Sequence, residues 1–438
     1  MSDRTDVDRR RFLAGSAAAF GVGLAGCLGG GGGGGGGGGT TGTPGADPIR
    51  IGVLEDRSGN FALVGTPKWR ASKLAIDEIN ANGGILGRPI ELYDPDPQSD
   101  NQRYKQLTKR LINKNDVDVM WAGYSSATRE TIRPTIDRNQ QLYFYTTQYE
   151  GGVADEYTFC MGATARQQLG SVVPYMIENF GSKIYTIAAD YNFGQLSADW
   201  VRVIADENDA EVIGEEFIPL SVSNFGSTIS NIKEADPDFV MAILVGKNHS
   251  SFWNQRTSAG LEIPMGTSTV MAQGYQHKRL DPPTLENVYG GFNYMEEVPT
   301  DRNQRYVDRY YEKFPDAGYA NEESVNNYFS TYLYKKAVEK AGTVDQPEVI
   351  STLEEGMEIT GDKSPEGDIS LQGDVHHMTH NMRVMRCDAE HNISVEDTRK
   401  IPEKFLTNTV EIDLSGKDDG MTKQFTPVDY FPEAKGGN

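Results

Sequence analysis

Residues 75–93, AIDEINANGGILGRPIELY, contain the end of a helix, a helix stop and the beginning of a strand. Small and apolar residues recur at helical spacing from 72 to 79, which predicts a helix that begins near Pro67 and buries one face. The Asn-Gly-Gly of 82–84 is a common helix C-terminal signal. The apolar residues of 90–93 then predict a strand. This stretch therefore forms one helix-to-strand unit of an α/β fold.

The alternation of strands and helices continues on both sides of this unit. Short apolar runs that are rich in β-branched residues predict buried parallel strands, with helices between them that cover both faces of the sheet. The predicted strands form two series: 49–54, 90–93, 117–122 and 142–145, then 183–189, 211–217 and 238–245. The predicted helices after 67 lie at 101–114, from 127, around 164–177, at 194–206, at 223–234 and at 248–259. Two series predict two doubly wound α/β lobes.

The length of the chain supports two lobes. About 390 residues follow the N-terminal segments, which is more than one hydrophobic core usually holds. In open parallel sheets, ligands bind beyond the carboxyl ends of the strands, where loops lead into helices. With two lobes, the sequence predicts a binding site in the cleft between them.

The N-terminus has the layout of an export signal. Residues 9–13 are RRRFL, followed by a short apolar run that ends in Leu24-Ala25-Gly26-Cys27. Adjacent arginines before an apolar run predict a twin-arginine signal over 1–26. The last four residues resemble a lipobox, so Cys27 is the expected lipid attachment site. A buried N-terminal helix with a chance cysteine is the alternative.

Eleven consecutive glycines at 29–39 follow this signal. They offer no apolar group to offset the entropy of ordering, so 27–47 is predicted to be a tether. The expected location is the outer face of the cell membrane, reached through the twin-arginine route and a lipid anchor.

The chain is strongly acidic, with 63 aspartates and glutamates against 42 lysines and arginines. Removal of the four arginines and three aspartates of 1–26 changes the net charge from -21 to -22. Such a surface repels nucleic acid and anionic lipid. We interpret it as a halophilic, solvated surface that does not identify the ligand. A disulfide between Cys160 and Cys387 cannot be argued from the sequence.

Several motifs resemble one family. Residues 75–90 resemble the first helix and loop of the leucine-binding-type solute receptors, the type I periplasmic binding proteins of ABC importers. The segments YSSATR (124–129), YTTQYEG (145–151), DY (190–191), LVG (244–246) and SPEG (364–367) resemble the urea and short-chain-amide receptors of that family. The resemblance covers about 48–397.

The resemblance implies two lobes joined by a hinge of several crossovers, which close over the ligand. It implies an N-terminal lobe formed by 48–163 and 287–365, and a C-terminal lobe formed by 164–286 and 366–400. Residues 401–438 form an extension of unknown role. The implied partners are a small polar solute and the permease subunits of an importer, with the protein a monomer.

The resemblance also implies ligand contacts. Ser126 lies at a strand-to-helix turn, where its hydroxyl either binds a ligand carbonyl or caps the helix. Tyr145 and Thr147 are expected against the ligand, although strand packing is the alternative for Tyr145. The other implied contacts are Tyr124, Tyr191, Gly246 and Gln148, the last of which replaces a proline of the amide receptors.

One segment departs from the family. Amino-acid receptors commonly have an acidic residue near 265, whereas 266–273 is GTSTVMAQ. A buried ammonium without an acidic partner is costly, so this segment argues against a zwitterionic amino acid.

Catalysis and metal binding have little support in the sequence. His376, His377 and His380 form a cluster, but strand alternation would direct the first two to opposite sides. No serine-elbow motif or phosphate-binding loop is present, so we predict no enzyme activity, no cofactor and no metal. The favoured function is capture of urea or a short amide for an ABC importer. A receptor for branched-chain amino acids or another small metabolite, or a sensory subunit, is the alternative.

Overall fold

Strands and helices alternate along most of the chain. The structure is a computed structural model that describes residues 47–246 and 248–436. In chain order the strands are β1 (Ile49–Leu54), β2 (Ile90–Tyr93), β3 (Val119–Ala122), β4 (Tyr143–Tyr145), β5 (Val153–Asp155), β6 (Thr158–Cys160), β7 (Lys183–Ala189), β8 (Glu211–Ile218), β9 (Phe239–Ile243), β10 (Met265–Thr267), β11 (Val288–Phe292), β12 (Met357–Ile359), β13 (Ile369–Gln372), β14 (His377–Cys387), β15 (Ile393–Ile401) and β16 (Thr422–Gln424).

The helices pack on both faces of the strands, as the periodicity predicts. They are α1 (Ala62–Ala81), α2 (Asn101–Asn113), α3 (Ser126–Arg138), α4 (Ala165–Phe180), α5 (Asn192–Glu207), α6 (Gly226–Ala235), α7 (Asn248–Ser258), α8 (Asp301–Lys313), α9 (Glu322–Ala341) and α10 (Gln346–Glu354). The α/β fold class is therefore confirmed.

Two parallel series of strands form the sheet. In the first, the order is β2-β1-β3-β4-β6, and in the second it is β11-β10-β9-β7-β8. Every pairing within each series is parallel. The buried strands β3 and β9 contain few polar residues because helices cover both of their faces.

A single long strand, β14, connects the two series. Its first residue, His377, pairs with Cys160 of β6, and its last five residues pair antiparallel with β11. Cys160 and Cys387 therefore lie near opposite ends of this strand, roughly 33 Å apart at the usual rise per residue. Both are free and buried, so they form no disulfide.

Some predicted boundaries differ from the observed ones. The predicted N-terminal lobe includes 287–365, yet β11 pairs with β10 in the second series of strands. The predicted C-terminal lobe includes 366–400, yet β13 pairs with β12 and with the start of β14 beside the first series. Helix α1 begins at Ala62 rather than near Pro67, because the chain already turns into the helix at Phe61 and Pro67 is accommodated within it.

The described residues contain no helix that is long and apolar enough to cross a membrane. The predicted signal at 1–26, Cys27 and nearly all of the predicted tether lie outside the described residues.

Candidate functional site

Five loops meet at a small cavity between the two series of strands. We call it the inner cavity; its nine lining residues are Tyr124, Ser125, Ser126, Thr147, Gln148, Tyr191, Phe193, Val245 and Gln273. They follow the carboxyl ends of β3, β4, β7, β9 and β10. This is the position that parallel sheets favour for a ligand. The free space is about 10 Å³, close to what one water requires.

The first turn of α3 forms one wall of the inner cavity. Ser125 is the N-cap and makes no side-chain capping bond. The hydroxyl of Ser126 donates instead to Glu150, so Ser126 does not cap the helix. The N–H groups at this helix start are available to a ligand oxygen, and the helix dipole favours negative charge there.

Glu150 is the centre of a buried polar cluster behind Ser126. We call Ser126, Arg129, Glu150, Asn192 and Gln424 the Glu150 cluster. Arg129 donates to the Glu150 carboxylate at 2.7 Å, and both side chains are fully buried. Asn192 of α5 donates to the same carboxylate at 3.0 Å and Gln424 of β16 at 2.7 Å. One carboxylate therefore forms hydrogen bonds with residues of α3, α5 and β16.

Thr147 occupies the neighbouring wall, and its hydroxyl already has two protein partners. It donates to the carbonyl of Gly123 at 2.9 Å and accepts from the buried ammonium of Lys68 at 2.8 Å. Lys68 also pairs with Glu55 at 2.9 Å. Burial raises the pKa of Glu55 to about 7, although the Lys68 charge opposes this rise. Thr147 can therefore only accept a hydrogen bond from a ligand.

The second series of strands supplies the opposite wall. Tyr191 is the N-cap of α5, and its ring lies 6.1 Å from that of Phe193. The start of α5 approaches β7 so closely that a Cβ on Gly194 would lie 2.0 Å from the carbonyl oxygen of Ala189. This close approach explains why a glycine follows Phe193, and it brings both aromatic rings to the cavity.

A second polar cluster lies on the other side of the inner cavity. We call Gln148, Gln168, Gln273, Glu322 and Glu323 the Glu322–Glu323 cluster. Gln273 donates to Glu323 at 2.7 Å, and Gln168 contacts both Gln148 and Glu322. Burial raises the pKa of both glutamates above the usual value, and for Glu322 the neighbouring Glu323 charge adds to the rise. Within the described residues, one oxygen of each carboxylate and the amide nitrogen of Gln148 have no hydrogen-bond partner.

An outer cavity of about 280 Å³ adjoins the inner one. Both cavities share Tyr124, Val245 and Gln273. The outer cavity adds Phe61, whose ring lies 4.9 Å from that of Tyr124, and Gly246 with a φ of 75°.

A comparison with protein families identifies the family of this chain. Residues 48–392 match the model for periplasmic binding proteins. The chain belongs to the periplasmic binding protein family.

Curated relatives and solved structures agree with the family. A Leu/Ile/Val-binding protein homolog 8 of Brucella abortus is 27% identical over 228 residues, which cover 48% of this chain and 55% of that protein. The chain thus spans about half the length of the curated relatives that it matches. An amino acid ABC transporter substrate-binding protein of Pseudomonas fluorescens Pf-5 superposes with a TM-score of 0.73 at 18% identity, covering 82% of this chain and 97% of that one.

A third match is a structure that was solved with a bound ligand. The branched-chain amino acid transporter substrate-binding protein of Streptococcus pneumoniae, in complex with isoleucine, superposes with a TM-score of 0.69 at 18% identity and covers 81% of this chain and 99% of that one. These structures share the fold of this periplasmic binding protein. The family is one of binding proteins, which supports the prediction that the chain is not an enzyme.

Five of the seven predicted ligand contacts line the inner cavity of this binding protein: Tyr124, Ser126, Thr147, Gln148 and Tyr191. Gly246 lines the outer cavity instead. Tyr145 lines neither cavity: its ring packs 5.0 Å from the Arg129 guanidinium and edge-on to Tyr149. Tyr145 therefore packs against other side chains of the protein, which the sequence analysis gave as the alternative to ligand contact.

The sequence arguments missed Gln273 and the two glutamates behind it. Residues 266–273 indeed contain no acid, but α9 brings Glu322 and Glu323 to this loop from elsewhere in the chain. An Asn followed by two acidic residues is an ordinary helix start, with Asn321 as the N-cap. That signal gave no reason to expect a binding residue there.

The three neighbouring histidines of β14 and its preceding turn have separate partners. His376 stacks on Phe159 with ring centroids 3.8 Å apart, and His380 lies 3.1 Å from Glu366. His377 contacts the Tyr149 hydroxyl. Across the described residues, no group of three or more histidine, cysteine, aspartate or glutamate side chains could hold a metal ion.

Proposed function

We propose that this protein captures urea or a short-chain amide between its lobes and delivers it to the permease of an ABC importer. The observation that carries the proposal is the inner cavity, whose nine lining residues are all uncharged and leave about 10 Å³ of free space. An uncharged site disfavours a charged ligand, because a buried charge requires a partner. The space is that of about one water, so the walls must separate to admit any solute, and a planar solute of a few heavy atoms requires less separation than one with a branched side chain.

The chemistry of the walls fits an amide. A ligand carbonyl oxygen can accept from the Gln148 amide nitrogen, which has no partner in the described part of the chain, and from the N–H groups at the start of α3. A ligand N–H can donate to Thr147 or to the amide oxygen of Gln273. The rings of Tyr124 and Tyr191 provide flat walls for a planar amide group.

Both lobes contribute to the site, and this supports capture by closure. Tyr124 and Thr147 follow strands of the first series, and Tyr191 and Val245 follow strands of the second. A solute that contacts both sets favours the closed arrangement by the difference between its affinities for the closed and open forms.

The N-terminal segment supports a location outside the cytoplasm. We propose export through the twin-arginine signal of 1–26 and attachment through a lipid on Cys27. Expression of the full chain with radiolabelled lipid precursor should label the protein, and Cys27→Ser should remove the label and release the protein from membranes. Unchanged labelling of the Cys27→Ser variant would contradict this attachment site.

A receptor for branched-chain amino acids is the second candidate. The buried carboxylates of Glu322 and Glu323 favour it, because an amino-acid ammonium would find an anion behind Gln273. The names of the Brucella relative and of the Streptococcus structure point in the same direction.

Calorimetric titration distinguishes the two candidates. We expect heat on addition of acetamide, formamide or urea to the purified protein, and none with L-leucine or L-isoleucine. Tyr191→Ala should weaken amide binding by about tenfold, because it removes one flat wall. Phe217→Ala removes an exposed ring of β8 outside both cavities and should leave affinity unchanged. Tight leucine binding without any amide response would overturn the proposed ligand.

A further inference from the structure

The C-terminal segment 401–436 lies beyond the family match, which ends at residue 392. It nevertheless contacts both lobes. At one end β16 pairs antiparallel with β5, and the Phe425 N–H donates to the Gly152 carbonyl at 2.8 Å. At the other end the Ala434 carbonyl accepts from Arg202 of α5 at 2.6 Å. The segment therefore crosses from β5, in the region that follows β4, to α5 of the second lobe.

Aromatic packing holds the segment against α5. The ring of Trp200 lies 5.1 Å from that of Phe405 and 5.7 Å from that of Phe431. The Trp200 indole N–H donates to the Glu150 carbonyl at 3.1 Å. The same tryptophan thus contacts both the C-terminal segment and the backbone next to the inner cavity.

The register of β16 brings Gln424 to Glu150. Gln424 pairs with Val153, and its amide nitrogen lies 2.7 Å from the Glu150 carboxylate and 3.1 Å from the Gly151 carbonyl. Its amide oxygen lies 3.4 Å from the Arg129 guanidinium. The backbone approach is very close: a Cβ on Gly152 would lie 1.9 Å from the Phe425 carbonyl oxygen.

Gln424 is connected to the inner cavity through the hydrogen bonds of a single residue, Glu150. The Glu150 carboxylate accepts from Gln424 on one side and from Ser126, a cavity residue, on the other. Glu150 is fully buried, so its orientation depends on its protein donors rather than on water. A buried carboxylate that loses a donor turns toward those that remain, and Ser126 and the start of α3 follow it.

We infer that Gln424 is a positioning residue for ligand binding: it holds Glu150, and through Glu150 it holds Ser126 and the first turn of α3 against the cleft. The C-terminal segment is then part of the binding machinery rather than an appendage. The use of an amide as a probe rests on the proposed function, whereas the positioning itself does not.

Hydrogen exchange of the ligand-free full chain tests the positioning directly. In Gln424→Ala, exchange of the amides in peptide 124–130 should accelerate by about tenfold, because a hydrogen bond to a buried carboxylate is lost. Lys423→Ala is the matched control, since Lys423 is exposed and lies on the same strand with the same backbone pairing. Equal exchange of this peptide in the two variants would overturn the inference.

Acetamide affinity provides the second readout. Gln424→Ala should bind acetamide about tenfold more weakly, and the isosteric Gln424→Glu should bind more weakly still, because a second carboxylate would face Glu150. Leu111→Ala, on the buried face of α2, should lower the melting temperature without changing the affinity. Affinity of Gln424→Glu equal to that of the parent would overturn the inference. If the parent does not bind acetamide, the proposed function fails and the exchange measurement alone decides the positioning.

Discussion

Two buried carboxylate clusters flank the inner cavity, and they differ in how their charge is compensated. In the Glu150 cluster, Arg129 supplies a fully buried cation, and Ser126, Asn192 and Gln424 add hydrogen bonds. In the Glu322–Glu323 cluster, the described residues supply amide donors but no hydrogen-bonded cation, and one oxygen of each carboxylate has no partner.

This difference in charge compensation predicts different roles: the Glu150 cluster fixes one arrangement, and the Glu322–Glu323 cluster can accept a proton or another donor. A compensated buried carboxylate specifies one arrangement, because every alternative loses a charged hydrogen bond. An uncompensated pair retains capacity for a proton or for another donor, and burial accordingly raises the pKa of both glutamates. One side of the cleft is therefore rigid, and the other side can respond to pH or to a ligand.

The largest expected effect follows removal of the central carboxylate. Glu150→Ala removes the fully buried partner of Arg129 and leaves only the partly exposed Glu130, so we expect a loss of about 3–5 kcal/mol in the free energy of unfolding. Urea denaturation at pH 7 measures it. Glu323→Ala should lose less free energy of unfolding, because it leaves no buried cation without its hydrogen-bonded anion.

Glu207→Ala is the control for this comparison, since it removes a partly exposed partner of Arg166. Surface ion pairs contribute about 0–1 kcal/mol. Equal losses for Glu150→Ala and Glu323→Ala would remove the distinction between the two clusters.

A smaller effect is expected from His377, which contacts Tyr149 beside the Glu150 cluster. Burial lowers the pKa of His377 to about 4, and the Arg129 charge adds to this. A lowered pKa means that the neutral form stabilises the fold. That contribution is complete above the ordinary value of about 6.5 and is lost as pH falls through 4, for a total of about 3 kcal/mol.

Melting temperatures from pH 7 to pH 4 measure this contribution. His377→Asn should show a shallower decline with acid than the parent. A decline of the same slope in both proteins would contradict the assignment to His377.

A third effect, opposite in sign, is expected on the uncompensated side. The raised pKa of Glu323 means that its contribution to stability is present at low pH and is lost as pH rises through the raised value. Glu323→Gln removes this titration and keeps an oxygen that can accept from Gln273. The variant should therefore lose less stability than the parent as pH rises above the ordinary glutamate value of about 4.3 in thermal denaturation.

The same comparison on Glu150→Gln supplies the contrast, since it removes the fully buried anion beside Arg129 and leaves only the partly exposed Glu130. Glu150→Gln should be less stable than the parent throughout this rise in pH. A Glu323→Gln variant that declines as steeply as the parent would contradict the prediction.

The smallest effect is expected at Gly246, which lines the outer cavity and belongs to neither cluster. Its φ of 75° disfavours a side chain, but a Cβ there would have no heavy atom of the described residues within 4 Å. Gly246→Ala should therefore cost about 1 kcal/mol of backbone strain and nothing from packing. A loss comparable to that of Glu150→Ala would show that this loop is held more tightly than its surroundings indicate.

Local sequence patterns predicted much of the framework. The observed bounds of β1 and β7 equal the predicted 49–54 and 183–189, because a buried strand is specified by its own apolar run. The cavity residues Ser126, Thr147 and Tyr191 were implied by the family resemblance, and their place in the fold is consistent with it. They follow strands directly, and the carboxyl ends of parallel strands meet at one edge.

The tertiary structure alone decided which groups compensate each other. Gln424 and Glu150 are 274 residues apart in the chain, and Glu323 and Gln273 are 50 apart. No periodicity or motif connects such pairs, because a hydrogen bond depends on positions in space and a single sequence records only order. The sequence therefore determined the strands, the helices and the walls of the cleft, whereas the charge balance behind those walls arose only when distant segments folded together.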